Sequence, residues 1–235
     1  MIFIMGDLCI IPARGGSKRI PRKNIREFLG KPIIAYSIQT ALDSGLFDEV
    51  MVSTDDLEIA KVAEGFGATV PFIRSEKNAD DHSTTSNVIE EVLLEYRRQR
   101  RSFIRACCLY PTAPFVTSSL LEKGKSMLID SAADAVFPVV KFDYPIWRGL
   151  RKDSLSKVEM VWKEHLNSRS QDLENVYHDA GQWYWLDIER FLLNKKLFTD
   201  NTRAIELSTL EVQDIDTIHD WNLAELKYGY LQSIK

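Results

Sequence analysis

The sequence predicts an α/β fold with one mostly parallel sheet, helices on both faces and a small inserted segment. Three observations predict it. A short apolar run, Leu8 to Pro12, leads into a glycine-containing loop and then into a helical pattern. Strand and helix patterns go on alternating down the chain, which places helices against a parallel sheet. The length, 235 residues, suits one full core or a core with a small insertion, and 45% hydrophobic with 27% charged residues describes an ordinary folded protein. One domain is expected over residues 1–235, with no repeat or low-complexity segment.

The elements follow in order. "KPIIAYSIQTALDSG" places Ile33, Ile34, Ile38, Ala41 and Leu42 near one helical face, and Gly45 stops it. "EVMVST" reads as a strand, "DDLEIAKVAEGFG" as a short helix ended by glycines, and "ATVPFI" as another strand. After the polar "NADDHSTT", a helix from about Asn87 has Asn87 and Glu90 in capping-box spacing and buries Val88, Val92, Leu93 and Tyr96. "FIRACCLY" is a strand, "PTAP" a turn, a helix starts near Ser118, and "DAVFPVV" is the next strand. From Lys141 to Leu166 short, aromatic, turn-punctuated pieces read as hairpin strands, an insertion. "GQWYWLD" resumes the core. "DIDTIHDWNLAELKYGYL" ends on a strand terminus and a helix whose Thr217 and Asp220 have N-cap and N3 spacing.

Composition also excludes. A net charge of -4 and a pI near 5.7 argue against general nucleic-acid binding, despite "KRIPRKNIR" and "RRQRR". The apolar start "MIFIMGDLCI" is short, lacks a basic leader and is broken by Asp7, so it reads as neither signal peptide nor membrane span, and a cytoplasmic protein without membrane partners is expected. Cys9, Cys107 and Cys108 have no metal-ligand spacing and lie in apparent strands, as reduced structural residues would.

Three constellations carry chemistry. In "IPARGGSKRIPRKN", directly after the first strand, Gly15 and Gly16 let backbone N–H groups approach an anion, Ser17 adds a donor, and Arg14, Lys18, Arg19, Arg22 and Lys23 add charge. This suits a polyphosphate, though it is neither a Walker A loop nor a GxGxxG pattern, and a solvated basic loop is the bland alternative. In "QDIDT", Asp214 and Asp216 project to one side of an extended segment and can share a hard cation such as magnesium. A charge pair favoured by the following helix's dipole is the alternative there. In "SRSQDLENVYHDAGQWYW", Arg169, Gln171, Asp172, His178 and Asp179 lie beside Tyr177, Trp183, Tyr184 and Trp185, as in a pocket for a polar sugar; a surface loop before a core strand accounts for it nearly as well. His178 lacks a nucleophile partner, so a hydrolase triad is unsupported.

"IPARGGSKRIPRKN" resembles the opening signature of the CMP-sialic acid synthetase family, the cytidylyltransferases that activate nine-carbon acidic sugars. "IRSEKNADDHSTTSN", "LYPTAP", "SRSQDL", "YHDAGQWY" and "EVQDIDT" follow in that family's order over nearly the whole chain. The resemblance implies a Rossmann-like sheet of the nucleotide-diphospho-sugar transferase type. It also implies CMP transfer from CTP to the anomeric hydroxyl of a sugar acid, with release of pyrophosphate. Ala13, Arg14, Gly16, Ser17, Lys18, Lys23 and Asn24 would then hold the nucleotide and its phosphates, with Arg74 and Thr85 at the cytidine. Tyr110, Arg169, Gln171, His178, Asp179 and Tyr184 would face the sugar acid. Asp214 and Asp216 would bind Mg2+, and together with Arg14 and Lys18 would form the catalytic set. Asp216 is the first candidate for a general base, with His178 and Asp179 behind it. The family dimerises through an inserted segment, which would suit residues 141–166 and a homodimer.

Two departures concern the sugar side. Tyr110 stands where sialic acid enzymes show Gln before "PTSP", and Ala180 replaces the Asn of "YxxNG". Together with "LSTLEVQDIDT" they look most like the pseudaminic acid branch, which serves bacterial surface glycans. Legionaminic acid, sialic acid and Kdo are the alternatives, and a non-catalytic sugar-nucleotide binding protein is the rival from another class.

Overall fold

The computed structural model describes residues 3–80 and 83–234; Met1 and Ile2 of the apolar start, Asp81 and His82 of the polar segment, and Lys235 lie outside the described residues. Strand β1 (Phe3–Pro12) opens the fold, and its side chains from Leu8 onward alternate between two cores. Cys9 and Ile11 enter one and Leu8 and Ile10 the other, because successive strand side chains leave opposite faces. A two-residue hairpin, β2 (Glu27–Phe28) with β3 (Lys31–Pro32), leads into α1 (Ile33–Ser44). Gly45 closes α1 at φ 62°, a left-handed conformation that glycine adopts without steric cost. Next come β4 (Glu49–Ser53), α2 (Leu57–Gly65), α3 (Thr85–Arg98), β5 (Arg101–Leu109), α4 (Ser118–Asp130) and β6 (Ala135–Lys141). The small strands β7 (Leu150–Lys152) and β8 (Val158–Met160) pair with each other alone. The chain then returns to the main sheet through β9 (Tyr177–Asp179) and β10 (Trp183–Asp187), and ends with α5 (Ile188–Asn194), β11 (Thr202–Leu207) and α6 (Ile218–Ser233).

The sheet runs β11-β6-β10-β5-β1-β4, with β9 on the far half of β6. Strands β1, β4, β5, β6 and β11 share one direction, while β9 and β10 run against them. Helices α1, α2 and α4 supply Ile34, Ile38, Ile59, Ala63, Leu121 and Leu128 to one core, and α3 and α5 supply Ile89, Val92, Tyr96 and Phe191 to the other. A third cluster joins α6, through Trp221 and Ala224, to Ile20, Phe28 and Phe115.

Packing is tightest where α4 crosses β10. A Cβ on Gly124 would lie 2.6 Å from two ring carbons of Trp183 and 2.7 Å from Trp185, both fully buried. Gly124→Ala gains about 1 kcal/mol of helix propensity. Two immobile indoles make the overpacking cost, about 1–3 kcal/mol, the larger effect. Denaturant unfolding is therefore expected to show a net loss of stability.

Several expectations need correction. "ATVPFI" is not a strand: Thr69 makes one bridge to Met51, and pairing goes no further because Pro71 has no N–H to donate. The cap of α3 is Thr84, whose hydroxyl accepts from Asn87 N, so Asn87 sits inside the helix and not at its cap. Leu42 is exposed, although Ile33, Ile34, Ile38 and Ala41 are buried as expected. "QDIDT" is an extended loop and not a strand end; the edge strand is β11, before it. At α6, Thr217 and Asp220 form the reciprocal capping box that their spacing predicts.

Residues 141–166 do hold a hairpin, and it leaves Leu150, Leu155 and Val158 exposed. No described helix is long and apolar enough to cross a membrane. The three cysteines are free and buried, Cys9 in β1 and Cys107 and Cys108 in β5.

Candidate active site

Strands β1, β4 and β5 run parallel, so their carboxyl ends at Pro12, Ser53 and Leu109 share one edge of the sheet. A cavity of about 450 Å³ lies there, the place where open α/β sheets bind ligands. Its walls bring together residues far apart in sequence: Arg14, Ser17, Lys18, Lys23 and Asn24 from the basic loop, Arg74, Thr85, Tyr110, and Asp216.

The basic loop is held by its own backbone. Ala13 N donates to Ser53 O at 2.9 Å, continuing the β1–β4 pairing, and the buried Asn24 amide donates to Arg14 O at 2.9 Å. Gly15 N donates to Asp55 Oδ1 at 3.0 Å. A Cβ at Gly16 would meet nothing within 4 Å, so an anion can approach that backbone, whereas one at Gly15 would lie 2.6 Å from Asp56 Oδ2. The glycine pair thus divides its work: Gly15 is needed for packing and Gly16 for access.

Opposite the loop stands the aspartate pair. Arg19 Nη2 meets Asp216 Oδ1 at 2.9 Å; Lys23 Nζ lies 3.6 Å from the same oxygen and donates to Ile215 O at 2.6 Å. Burial draws the Lys23 ammonium below its ordinary range, an effect that Asp216 and Asp214 oppose. Burial also raises the Asp214 carboxyl, and the like charge of Asp216 adds to the rise. Among the described residues no group of three or more His, Cys, Asp or Glu side chains could cage a metal ion. A hard cation that completes its shell with waters and phosphate oxygens, as Mg2+ does, would relieve the repulsion between the carboxylates of Asp214, which is exposed, and Asp216, which is partly buried.

Arg74, which also lines the cavity, is 94% buried: Nε donates to Ser53 Oγ at 3.0 Å, and Nη2 donates to Ser53 O. Thr85 Oγ1 and Tyr110 OH are 2.8 Å apart. Burial pushes the Tyr110 phenol up to about 12, so it stays protonated at any working pH. The Tyr110 ring packs on Tyr184, whose hydroxyl donates to Asp179 Oδ2 at 2.5 Å, while Gly181 N donates to Asp179 Oδ1 at 2.8 Å. Tyr184 is likewise raised, mainly by burial.

The rest of the expected sugar side is not assembled here. Arg169 spends its fork on Asp172 at 2.7 and 3.2 Å in an exposed turn. Gln171 lines a separate hollow with Phe142 and Ile146. His178 is exposed, packed on Phe142, with Nδ1 2.9 Å from Asp179 O. None of His178, Asp179 and Asp214 lines the cavity, whereas Asp216 does. Arg19, Ser83 and Thr112 do line it and were not among the expected contacts. Arg19 was counted as loop charge, and the motifs "HSTTSN" and "YPTAP" already contained the other two.

Fold and cavity together define an α/β protein with a cationic cleft, built for a polyphosphate, at the carboxyl edge of its sheet. Residues 8–221 match the family model described as cytidylyltransferase. The chain belongs to the cytidylyltransferase family. It is 42% identical over 224 residues to the pseudaminic acid cytidylyltransferase of Campylobacter jejuni, covering 95% of this chain and 97% of that one. It is 33% identical to the CMP-N,N'-diacetyllegionaminic acid synthase of Legionella pneumophila, covering 94% and 95%. The solved structure of a CMP:2-keto-3-deoxy-manno-octonic acid synthetase complexed with CTP shares the fold, with a TM-score of 0.69 at 18% identity over 97% of this chain and 100% of that one.

Proposed function

We propose that this enzyme transfers CMP from CTP to the anomeric hydroxyl of pseudaminic acid, releasing pyrophosphate. The observation that carries the sugar is the 42% identity, end to end, with an enzyme named for that substrate. The cavity supports the nucleotide: its cationic loop suits a triphosphate, and Arg74 and Thr85, the expected cytidine contacts, line the same cavity.

Nucleotidyl transfer asks the protein mainly for positioning and charge stabilisation, since the attacking hydroxyl belongs to the sugar. Arg14, Lys18 and the Gly16 backbone would hold the phosphates and stabilise the charge that develops on the leaving pyrophosphate. Lys23 and Arg19, which pair with Asp216, would turn to those phosphates and leave Asp214 and Asp216 to a magnesium ion. When bound, that ion supplies Lewis-acid polarisation of the phosphate under attack. Tyr110, protonated and packed on Tyr184, would donate to the sugar acid. The exposed apolar hairpin β7–β8 suits the homodimer expected of the family. Three buried, unpaired cysteines suit a reducing cytoplasm.

The test is pyrophosphate release from CTP and magnesium with pseudaminic, legionaminic, N-acetylneuraminic and Kdo acids. Release with pseudaminic acid alone is expected. Preference for legionaminic acid would move the chain to that branch, and silence with all four, CTP binding intact, would favour a binding protein.

A further inference from the structure

We infer that Arg22 is a positioning residue of the nucleotide site: it clamps the basic loop to the N-terminus of α2 and does not touch the phosphates. The inference rests on the proposed placement of the CTP phosphates in that loop. By charge alone Arg22 would count among the phosphate ligands, but its guanidinium is already committed. Nη1 meets Asp56 Oδ2 at 2.5 Å, Nη2 meets Asp56 Oδ1 at 3.2 Å, and Nη2 also pairs with Glu58. Arg22 is absent from the cavity wall that Arg14, Lys18, Arg19 and Lys23 all reach. Its backbone sits at φ 56°, ψ 31°, a left-handed conformation that a non-glycine residue keeps only where its surroundings hold it.

The other end of the loop is tied to the same turn. Gly15 N donates to Asp55 Oδ1, and the Asp56 carboxylate fills the space where a Gly15 side chain would stand. Asp56 is itself fixed as the N-cap of α2, accepting from Glu58 N at 2.9 Å and Ile59 N at 3.0 Å. Gly15 and Arg22 are thus two anchors on one rigid turn, and residues 16–21 bow out between them. That span holds Ser17, Lys18 and Arg19, which line the cavity, and the open backbone of Gly16. A loop held at both ends presents its N–H groups and ammonium to a phosphate without first having to be ordered, which is where preorganisation adds affinity.

The test is CTP affinity by calorimetry, with steady-state kinetics, for Arg22→Gln, Asp56→Asn and the double variant. Asn is as good an N-cap as Asp, so α2 stays capped while the charge is removed. Each single variant is expected to weaken CTP binding about tenfold, the double no more than either, as for residues in one network. The CTP KM should rise while the sugar KM stays put, and Arg22→Lys should recover part of the loss. If Arg22 were instead a phosphate ligand, Asp56→Asn would release its guanidinium and tighten CTP binding. If the clamp served folding only, the variants would melt earlier yet bind CTP as the parent does. Either result overturns the inference. Failure of the parent enzyme to bind CTP would remove the nucleotide reading itself, and this inference with it.

Discussion

Asp214→Asn and Asp216→Asn are each expected to lower turnover by about a hundredfold to a thousandfold, the cost of removing one electrostatic stabiliser of a transition state. Stability should change little. Asp216 pairs with Arg19 and Lys23 across solvent-accessible surface, and such pairs contribute about 1 kcal/mol or less. At Asp214 the substitution removes a carboxylate that burial and Asp216 already disfavour. The two variants should part company when CTP is bound without metal. Asp216→Asn frees Arg19 and Lys23 for the phosphates, so metal-free CTP should bind at least as well as in the parent. Asp214→Asn leaves that pairing in place and brings no such gain. Pyrophosphate release across a magnesium titration, with CTP calorimetry in chelator, checks both points. Full turnover in both variants would refute the metal assignment.

Local signals were legible because their partners are near in sequence. The apolar run ending at Pro12, the stop at Gly45 and the Thr217–Asp220 box each depend on residues within a few positions, and each forms as its spacing predicts. Failures came where the deciding partner is distant or the signal weak. "ATVPFI" has strand composition, but its pairing ends at a proline. The edge strand "TRAIEL" buries only Ile205 and Leu207, so it carries little apolar pattern. The site divides the same way. The basic loop and the aspartate pair are legible by type and spacing, and the structure brings Arg14, Ser17, Lys18, Lys23 and Asp216 to one cavity. That Arg22 is neutralised by Asp56, 34 residues away, could not be read from charge. Arg169 looked like a sugar carboxylate's fork, yet Asp172, three residues on, already occupies it.

Arg74→Lys is expected to weaken CTP about a hundredfold while leaving the sugar KM unchanged. Two of the guanidinium's donors are spent on Ser53, at the carboxyl end of β4, which fixes the fork with its remaining N–H groups available to the cavity. An ammonium cannot hold both contacts to Ser53 and face the ligand in the same plane. A hydrogen bond to a charged group is worth about 1.5–3 kcal/mol, and about 1.4 kcal/mol is tenfold in affinity, so one lost contact with loosened orientation reaches the expected size. A Lys buried there also has fewer partners, so some loss of stability should accompany it. The two effects separate by measurement. If Arg74 only braces the end of β4, the melting temperature falls and the CTP dissociation constant of the folded enzyme does not move. If it also contacts the nucleotide, affinity falls at temperatures where the variant is fully folded. Equal rises in both substrate KM values would instead place the damage in the cavity as a whole.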